Sequence, residues 1–244
     1  GQSATVNIVL TFSENIQAGT GNVVLTPATG SALSIACGDS QVTYSSTAAT
    51  INPVHTLTDG VQYTITMASG VMKDASNNAH GGLSGTMYQF TVADTAAPTI
   101  LSYSPALGAT GVSATHSIVM IFSENIQAGT GNIVLTPAPG SAVVSIPCED
   151  SQVTYTATAA TINLTSSLAT TGMRYTITMA SGVMKDASNN PYGGLGGTTY
   201  QFTVADTVAP TITTYSPSQA AAGVSATTSI VLTFSENIQA GTGS

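Results

Sequence analysis

The chain has 244 residues, of which only 6% are charged, and its formal net charge is −8. Lys and Arg number 3 together, too few for a basic surface that neutralises phosphates, so the composition argues against nucleic acid as a partner. No apolar run approaches the ~20 residues of a spanning helix, so no membrane insertion is expected of this segment.

The sequence repeats itself with a period of about 110 residues, which is the size of a domain. The block Phe-Ser-Glu-Asn-Ile-Gln-Ala-Gly-Thr-Gly occurs at 12–21, 122–131 and 234–243, and Gly-Val-Met-Lys-Asp-Ala-Ser-Asn-Asn occurs at 70–78 and 182–190. A string of like domains typically serves length, valency or assembly. The repetition therefore favours a structural protein over an enzyme.

Apolar and polar residues alternate along most of the chain. Tyr175, Ile177 and Met179 alternate with threonines, and Ile118, Met120 and Phe122 form a further inward set with Val119 and Ile121 between them. Alternation with frequent Gly, Pro and Asn turns is typical of an antiparallel sandwich. In the complete middle copy it predicts strands near 99–104, 117–123, 131–136, 142–147, 151–155, 159–163, 173–180 and 198–204. The predicted fold class is all-β: tandem Ig-like antiparallel β-sandwiches joined by short Pro-containing linkers.

The repeats divide the chain into three parts. Residues 1–94 form an Ig-like repeat that lacks its first strand, 95–206 form a complete repeat, and 207–244 are the opening strands of a third. Pro98 and Pro210 keep the linkers extended and short.

Two explanations of the incomplete repeats remain open. The chain is either a window of a longer array, or a subunit whose C-terminal piece donates a strand to the N-terminal copy of another molecule. Residues 1–22 and 223–244 are the same piece of repeat, which favours the window.

Each full repeat carries one cysteine, Cys37 or Cys148, so a disulfide within one repeat is impossible. Both alternate with apolar neighbours on one strand face, which favours a buried free thiol. The alternative is a disulfide between neighbouring chains.

Recurring acidic residues suggest a cation site at each repeat junction. In an Ig-like strand order, the loops that hold Glu124 and residues 185–190 fall at the same end as the linker with Asp94. Carboxylates and amides are the oxygen ligands that Ca²⁺ prefers. The predicted calcium ligands are Asp94, Glu124 and Asp186 at one junction and Asp206 and Glu236 at the next.

A simpler interpretation of the same residues is favoured. In it, Lys185 pairs with Glu124, while Asp186, Asn189 and Asn190 only form the turn. No cofactor is then needed.

No catalytic residue recurs with the repeat. The three histidines have no histidine counterpart in another copy, and no nucleophile motif accompanies them. Catalytic and cofactor-binding residues are therefore not expected, and the chain is not expected to be an enzyme.

Asn163 opens an N-glycosylation sequon, Asn-Leu-Thr, whereas its counterpart Asn52 is followed by Pro53. Tyr103 and Tyr215 are expected to pack at domain junctions.

Several blocks resemble a known family. They are Ala-Pro-Thr-Ile, Tyr-Ser-Pro, Gly-Val-Ser, Ile-Val-Leu-Thr-Phe-Ser-Glu-Asn-Ile, Gly-Val-Met-Lys-Asp-Ala-Ser-Asn-Asn and Tyr-Gln-Phe-Thr-Val. Together they are similar to the bacterial Ig-like domain of the SbsA S-layer type. The resemblance implies an Ig-like sandwich of secreted or cell-surface proteins, where such domains act as stalks, lattice parts or adhesin spacers. It implies no common catalytic activity.

The expected function is that of a non-catalytic structural repeat protein forming an extracellular rod, filament or surface layer. Its expected partners are copies of itself, end to end and side by side. The alternative is the spacer of a large cell-surface adhesin whose binding head lies outside this chain. A carbohydrate-binding module is a weaker third class, because Trp is absent and no exposed aromatic row recurs.

Overall fold

The computed structural model describes residues 7–138, 142–169 and 172–242. These residues form strands and turns, and among them there is no helix long and apolar enough to cross a membrane. Contacts divide the chain into unit 1, of residues 1–98 and 185–192, and unit 2, of residues 99–184 and 193–244. The predicted all-β class is confirmed.

The first repeat, in unit 1, is a sandwich of two main antiparallel sheets. One sheet has the order β1-β6-β5, the other has the order β4-β3-β7-β9, and β2 pairs with β8. Apolar residues of both sheets form one hydrophobic cluster. The strands are β1 (Ile8–Thr11), β2 (Ile16–Ala18), β3 (Asn22–Pro27), β4 (Leu33–Ala36), β5 (Val42–Ser45), β6 (Ala48–Ile51), β7 (Gln62–Met67), β8 (Met72–Asp74) and β9 (Gln89–Thr91).

The second repeat has the same sheets with one strand more. Its strands are β10 (Ile100–Ser104), β11 (Ile118–Phe122), β12 (Ile126–Ala128), β13 (Asn132–Pro137), β14 (Val144–Pro147), β15 (Val153–Thr156), β16 (Ala159–Ile162), β17 (Arg174–Met179), β18 (Met184–Asp186) and β19 (Leu195–Thr203). The sheet orders are β10-β11-β16-β15 and β14-β13-β17-β19. Because β10 has no counterpart among the described residues of the first repeat, the sheet that contains β1 has three strands.

The beginning of the third repeat forms a two-stranded ribbon. Strand β20 (Ile212–Ser216) pairs with β21 (Val231–Phe234), and all but Phe234 of their residues are exposed. A two-stranded ribbon without a second layer has no core of its own and is marginally stable.

The alternation of the sequence places the core as predicted. Ile118, Met120 and Phe122 are almost fully buried, as are Ile133 and Leu135 on the facing sheet. β-branched and aromatic residues at every second position fit this half-buried, pleated surface. The strands β12 and β18 were not among the predicted elements of the middle copy. They have only three residues each, too few for a visible alternation.

The two repeats share their strand register residue for residue. Val23 lies opposite Met67 and Leu25 opposite Ile65 in the first repeat. In the second repeat the corresponding pairs are Ile133 with Met179 and Leu135 with Ile177. The repetition in sequence is therefore a repetition of the packed structure.

Tyr103 was expected to pack at a domain junction, and its described ring contact lies within its own repeat. Its ring packs against that of Tyr200 inside the second repeat, with ring centroids 4.6 Å apart. Its counterpart Tyr215, on β20, is 49% exposed.

Candidate metal centre

Asp186 ends β18 and begins a tight turn that fixes its carboxylate. The backbone N–H of Asn190 donates to Asp186 Oδ1 at 2.7 Å, and Asn190 Nδ2 donates to Oδ2 at 2.7 Å. Asn189 takes a positive φ of 70°, which Asn tolerates better than most residues. Asp186 is the one buried acidic side chain among the described residues, with 1% exposed.

Asp94 lies beside this turn, within the same unit. Ser188 Oγ donates to Asp94 Oδ2 at 3.3 Å, and Asn190 Nδ2 donates to the Asp94 carbonyl oxygen at 3.1 Å. The backbone N–H of Ala96 donates to Asp94 Oδ1 at 3.1 Å. The Asn190 amide therefore joins the two aspartates, a role that the predicted turn did not include.

The two carboxylates approach each other closely. One oxygen of Asp94 and one of Asp186 lie within 4.8 Å. Two ionised carboxylates at this separation repel each other, and a divalent cation between them would remove the repulsion. Carboxylate, carbonyl and hydroxyl oxygens are all hard ligands suited to Ca²⁺.

The first repeat contains the same turn around Asp74. Asn78 donates through its backbone N–H and its side chain to Asp74, at 2.7 Å and 2.6 Å. The bond from the Asn78 side chain holds the pKa of Asp74 below its usual value, with the backbone bonds assisting. Asp74 thus lies in the same kind of turn as Asp186 and is its counterpart in the first repeat.

The second predicted pair, Asp206 and Glu236, lines one pocket of about 290 Å³ in unit 2 together with Val208 and Ser235. Val208 N–H donates to Asp206 Oδ1 at 3.1 Å, which repeats the turn of Asp94. Glu236 Oε1 is shielded from solvent and has no hydrogen-bond partner among the described residues. Such an oxygen needs a compensating partner.

Two glycines, which the sequence did not single out, lie next to these aspartates. Gly60 and Gly172 have positive φ values of 71° and 68°. A β-carbon on either would stand 3.5–3.6 Å from the β-carbon of Asp94 or Asp206.

Glu124, the remaining predicted ligand, is half-buried between β11 and β12 in unit 2. Calcium binding stays a prediction for all five residues.

The sequon residue Asn163 is exposed. Its side-chain oxygen accepts from Ser117 Oγ at 2.8 Å, and Thr165 Oγ1 donates to Gln152 Oε1 at 3.1 Å. The exposure is compatible with modification, and glycosylation stays a prediction.

Both cysteines are free and lie in the cores of their repeats. The carbonyl oxygens of Cys37 and Cys148 accept from Tyr44 Oη and Tyr155 Oη, at 2.8 and 2.9 Å. Burial raises the pKa of the Cys148 thiol, and the nearby Glu149 charge raises it further. A disulfide between chains stays a prediction, and it would require the sandwich to open first.

Two histidines have structural contacts. His80 packs edge-on against Phe12 at 5.2 Å between ring centroids, and its Nδ1 accepts from Gly82 N–H. His116 Nε2 lies 3.2 Å from Ser104 Oγ at an exposed position. Neither contact repeats in the other copy.

The chain was compared with known proteins. The family model described as Bacterial Ig-like domain matches residues 1–92, 94–204 and 206–244. A comparison with curated protein sequences gave no match. Domains of this family are typically non-catalytic structural domains of bacterial surface or secreted proteins.

The three matches cover nearly the whole chain, and the two sandwiches with shared register are the structural counterpart of that repetition. The chain therefore belongs to the bacterial Ig-like domain family.

Proposed function

We propose that this chain is a structural repeat protein of the bacterial exterior that assembles with copies of itself into a rod, filament or surface layer. The proposal includes the finer kinship with the SbsA S-layer type. It includes no catalytic step.

One observation carries the proposal: the copies repeat at exposed positions as well as in the core. Ser13, Gln17 and Thr20 are exposed, and so are their counterparts Ser123, Gln127 and Thr130. Folding alone fixes the buried alternation and leaves exposed positions free to differ. A surface repeated in this way presents equivalent contacts at each repeat, as a regular assembly requires.

The charge distribution supports association as well. With 6% of residues charged, neighbouring copies have few like charges to repel each other. Serine, threonine, asparagine and glutamine supply the polar surface instead. Such a surface can form contacts between copies whose strength depends little on salt.

The experiment is sedimentation velocity of the 244-residue chain over a range of concentrations, with and without reductant. Species that grow with concentration are the expected result, and electron microscopy would show whether they are regular. Loss of these species under reductant would assign the cross-link to Cys37 and Cys148. A single monomeric species at all concentrations would contradict self-assembly and favour the adhesin spacer.

A further inference from the structure

The opening segment of the second repeat pairs with both sheets of its sandwich. Strand β10 lies beside β11 in one sheet. Residues 108–112, which follow β10, lie beside the end of β19 in the other sheet, and Val112 forms a parallel bridge with Val204. These residues all belong to unit 2. The first and last segments of the repeat are therefore neighbours that run in the same direction.

Four backbone hydrogen bonds connect residues 108–112 with residues 201–205 and together form the terminal ladder. The donor N–H groups and acceptor carbonyls are Gly108 to Gln201, Thr203 to Ala109, Val112 to Thr203 and Ala205 to Val112, at 2.7, 2.7, 3.1 and 2.8 Å. Both segments donate and both accept, as strands of a parallel sheet do. The terminal ladder therefore ties the start of the repeat directly to its end.

The terminal ladder is anchored in the core through the side chains of its second segment. Tyr200, Phe202 and Val204 are 0%, 1% and 1% exposed. Tyr200 Oη also donates to the Pro105 carbonyl oxygen at 2.9 Å, shortly before the first segment begins. Sliding of one segment along the other would therefore remove buried side chains from the core as well as break the backbone bonds.

Tension along tandem repeats enters each repeat at its two ends. In the second repeat, the pull reaches the terminal ladder at the N-terminal side of Gly108 and at the C-terminal side of Ala205. Because the paired segments are parallel, these two pulls act in opposite directions along the ladder. The hydrogen bonds lie across the direction of pull, so the four bonds are loaded together. A ladder pulled apart from one end would instead lose its bonds one at a time.

We infer that the terminal ladder is a tension-bearing clamp, and that the second repeat has the further function of carrying load along the chain. Resistance to force is governed by the rate of unfolding and not by the free energy of unfolding alone. A barrier at which several bonds and buried side chains yield in one step keeps that rate low under load. This inference goes beyond the proposed self-assembly, since it applies equally to a rod, a surface layer and an adhesin spacer.

The test compares two directions of pull on the full, folded chain in an optical trap. Ala97→Cys with Thr207→Cys places DNA handles before and after the second repeat, which loads the terminal ladder in shear. Leu107→Cys with Thr199→Cys places the handles at the same end of both paired segments, which opens the ladder bond by bond. All four positions are exposed. The native thiols are buried, so handles attached to the folded chain react with the introduced cysteines.

We expect the shear pair to unfold at a force at least ~2-fold higher than the opening pair at the same pulling rate, because the ladder bonds then break together. Both chains have the same ladder and the same core. A ladder that contributes only to the free energy of unfolding would therefore give similar forces in the two directions.

Loss of one ladder bond should shorten the lifetime of the repeat under shear. Val112→Pro removes the N–H that donates to the Thr203 carbonyl. The lifetime at constant force should fall at least ~5-fold, which is the factor expected for one net hydrogen bond. Val112→Thr is the control, because it retains the N–H and the branched shape at this half-buried position. Its lifetime should stay within about 2-fold of the wild-type value.

The outcomes separate this inference from the proposed function. Equal forces in the two directions would overturn the clamp and leave the proposed assembly standing. A folded Val112→Pro chain with the wild-type lifetime under shear would overturn the clamp as well. If the proline prevents folding, the two directions of pull decide without it. A chain that stays monomeric in sedimentation but resists shear would support the clamp and contradict only self-assembly.

Discussion

Tyr103 and Tyr200 lie with their ring centroids 4.6 Å apart, and the Tyr200 hydroxyl donates to the carbonyl of Pro105 at 2.9 Å. Burial raises the pKa of Tyr200, and the neighbouring Tyr103 raises it further. The pair ties β10 to the opposite sheet through β19. Tyr88, the counterpart of Tyr200 in the first repeat, lacks such a partner strand among the described residues.

This difference predicts unequal effects of the same substitution. Tyr200→Ala should reduce the stability of its repeat by about 3–5 kcal/mol, as other large-to-small changes of buried aromatics do. Tyr88→Ala should cost roughly half of that or less, since the ring already meets solvent. Hydrogen exchange measured by mass spectrometry, peptide by peptide, would report on each repeat separately. Equal losses would show that the ring of Tyr88 is as well packed as that of Tyr200.

In the repeated Gln-Ala-Gly-Thr-Gly block, a close backbone contact leaves no room for a β-carbon at the first glycine. A β-carbon at Gly129 would stand 1.9 Å from the carbonyl oxygen of Gly182, and one at Gly19 would stand 1.9 Å from that of Gly70. We expect Gly129→Ala to destabilise the second repeat by about 1–3 kcal/mol, because the backbone must move to make room for the β-carbon. Urea unfolding followed by circular dichroism would measure the change.

Gly193→Ala is the control for that substitution. Nothing lies within 4 Å of a β-carbon at Gly193, so its effect should remain within about 0.5 kcal/mol. A similar loss of stability in both variants would show that chain flexibility, and not the backbone contact, causes the effect.

The sequence predicted those parts of the fold that depend on local alternation. Residues such as Tyr175 and Ile177 alternate with polar neighbours and face a core, whichever strands are adjacent. Short strands such as β18 depend on pairing at a distance, which Met-Lys-Asp does not reveal.

The candidate site was predictable only in part, for a similar reason. Repetition of Asp-Ala-Ser-Asn-Asn indicated the turn of Asp186, because Asn and Asp favour such turns. The bond from Asn190 to Asp94 spans 96 positions, and no local pattern predicts it. The different burial of Tyr88 and Tyr200 was equally hidden, since their sequence contexts are alike and only the presence of β10 separates them.

Alkaline conditions should weaken the fold through Tyr44. Burial first, and the nearby Cys37 second, raise the pKa of Tyr44 to about 12. Between the unfolded value of about 10 and this folded value, the folded chain holds more protons than the unfolded chain, so stability falls as pH rises. Below pH ~10 this contribution is fully present.

The variant Tyr44→Phe tests this expectation. It should lose the bond to the Cys37 carbonyl, at a cost of about 1 kcal/mol at neutral pH. Its stability should decline less steeply than that of the wild type as pH rises above 10. Urea midpoints recorded across this range would measure both effects, with the exposed Tyr215→Phe as control. An unchanged slope would contradict the assignment to Tyr44.

The thiols of Cys37 and Cys148 should react slowly in the native chain. Both side chains are buried, so alkylation requires local opening and should be roughly 100-fold or more slower than in denaturant. Ser40→Cys, at an exposed position, supplies an accessible thiol for comparison. Mass spectrometry of timed iodoacetamide samples would separate the sites. Labelling of the native cysteines as fast as that control would make a disulfide between chains feasible.

Calcium should stabilise the chain through Asp186 but not through its copy Asp74. Asp186 has the Asp94 carboxylate within 4.8 Å, so a divalent cation would relieve the repulsion between these two carboxylates. At about 100 times its Kd, a bound ion contributes about 2.7 kcal/mol, which should raise the Tm relative to EDTA by several degrees. Asp186→Asn should remove most of this rise, whereas Asp74→Asn should retain it. Calorimetry of the three chains with Ca²⁺, Mg²⁺ or EDTA would measure these shifts. A Tm that Ca²⁺ leaves unmoved would reject the cation, and the bonds from Asn190 would then suffice to explain why Asp186 is buried.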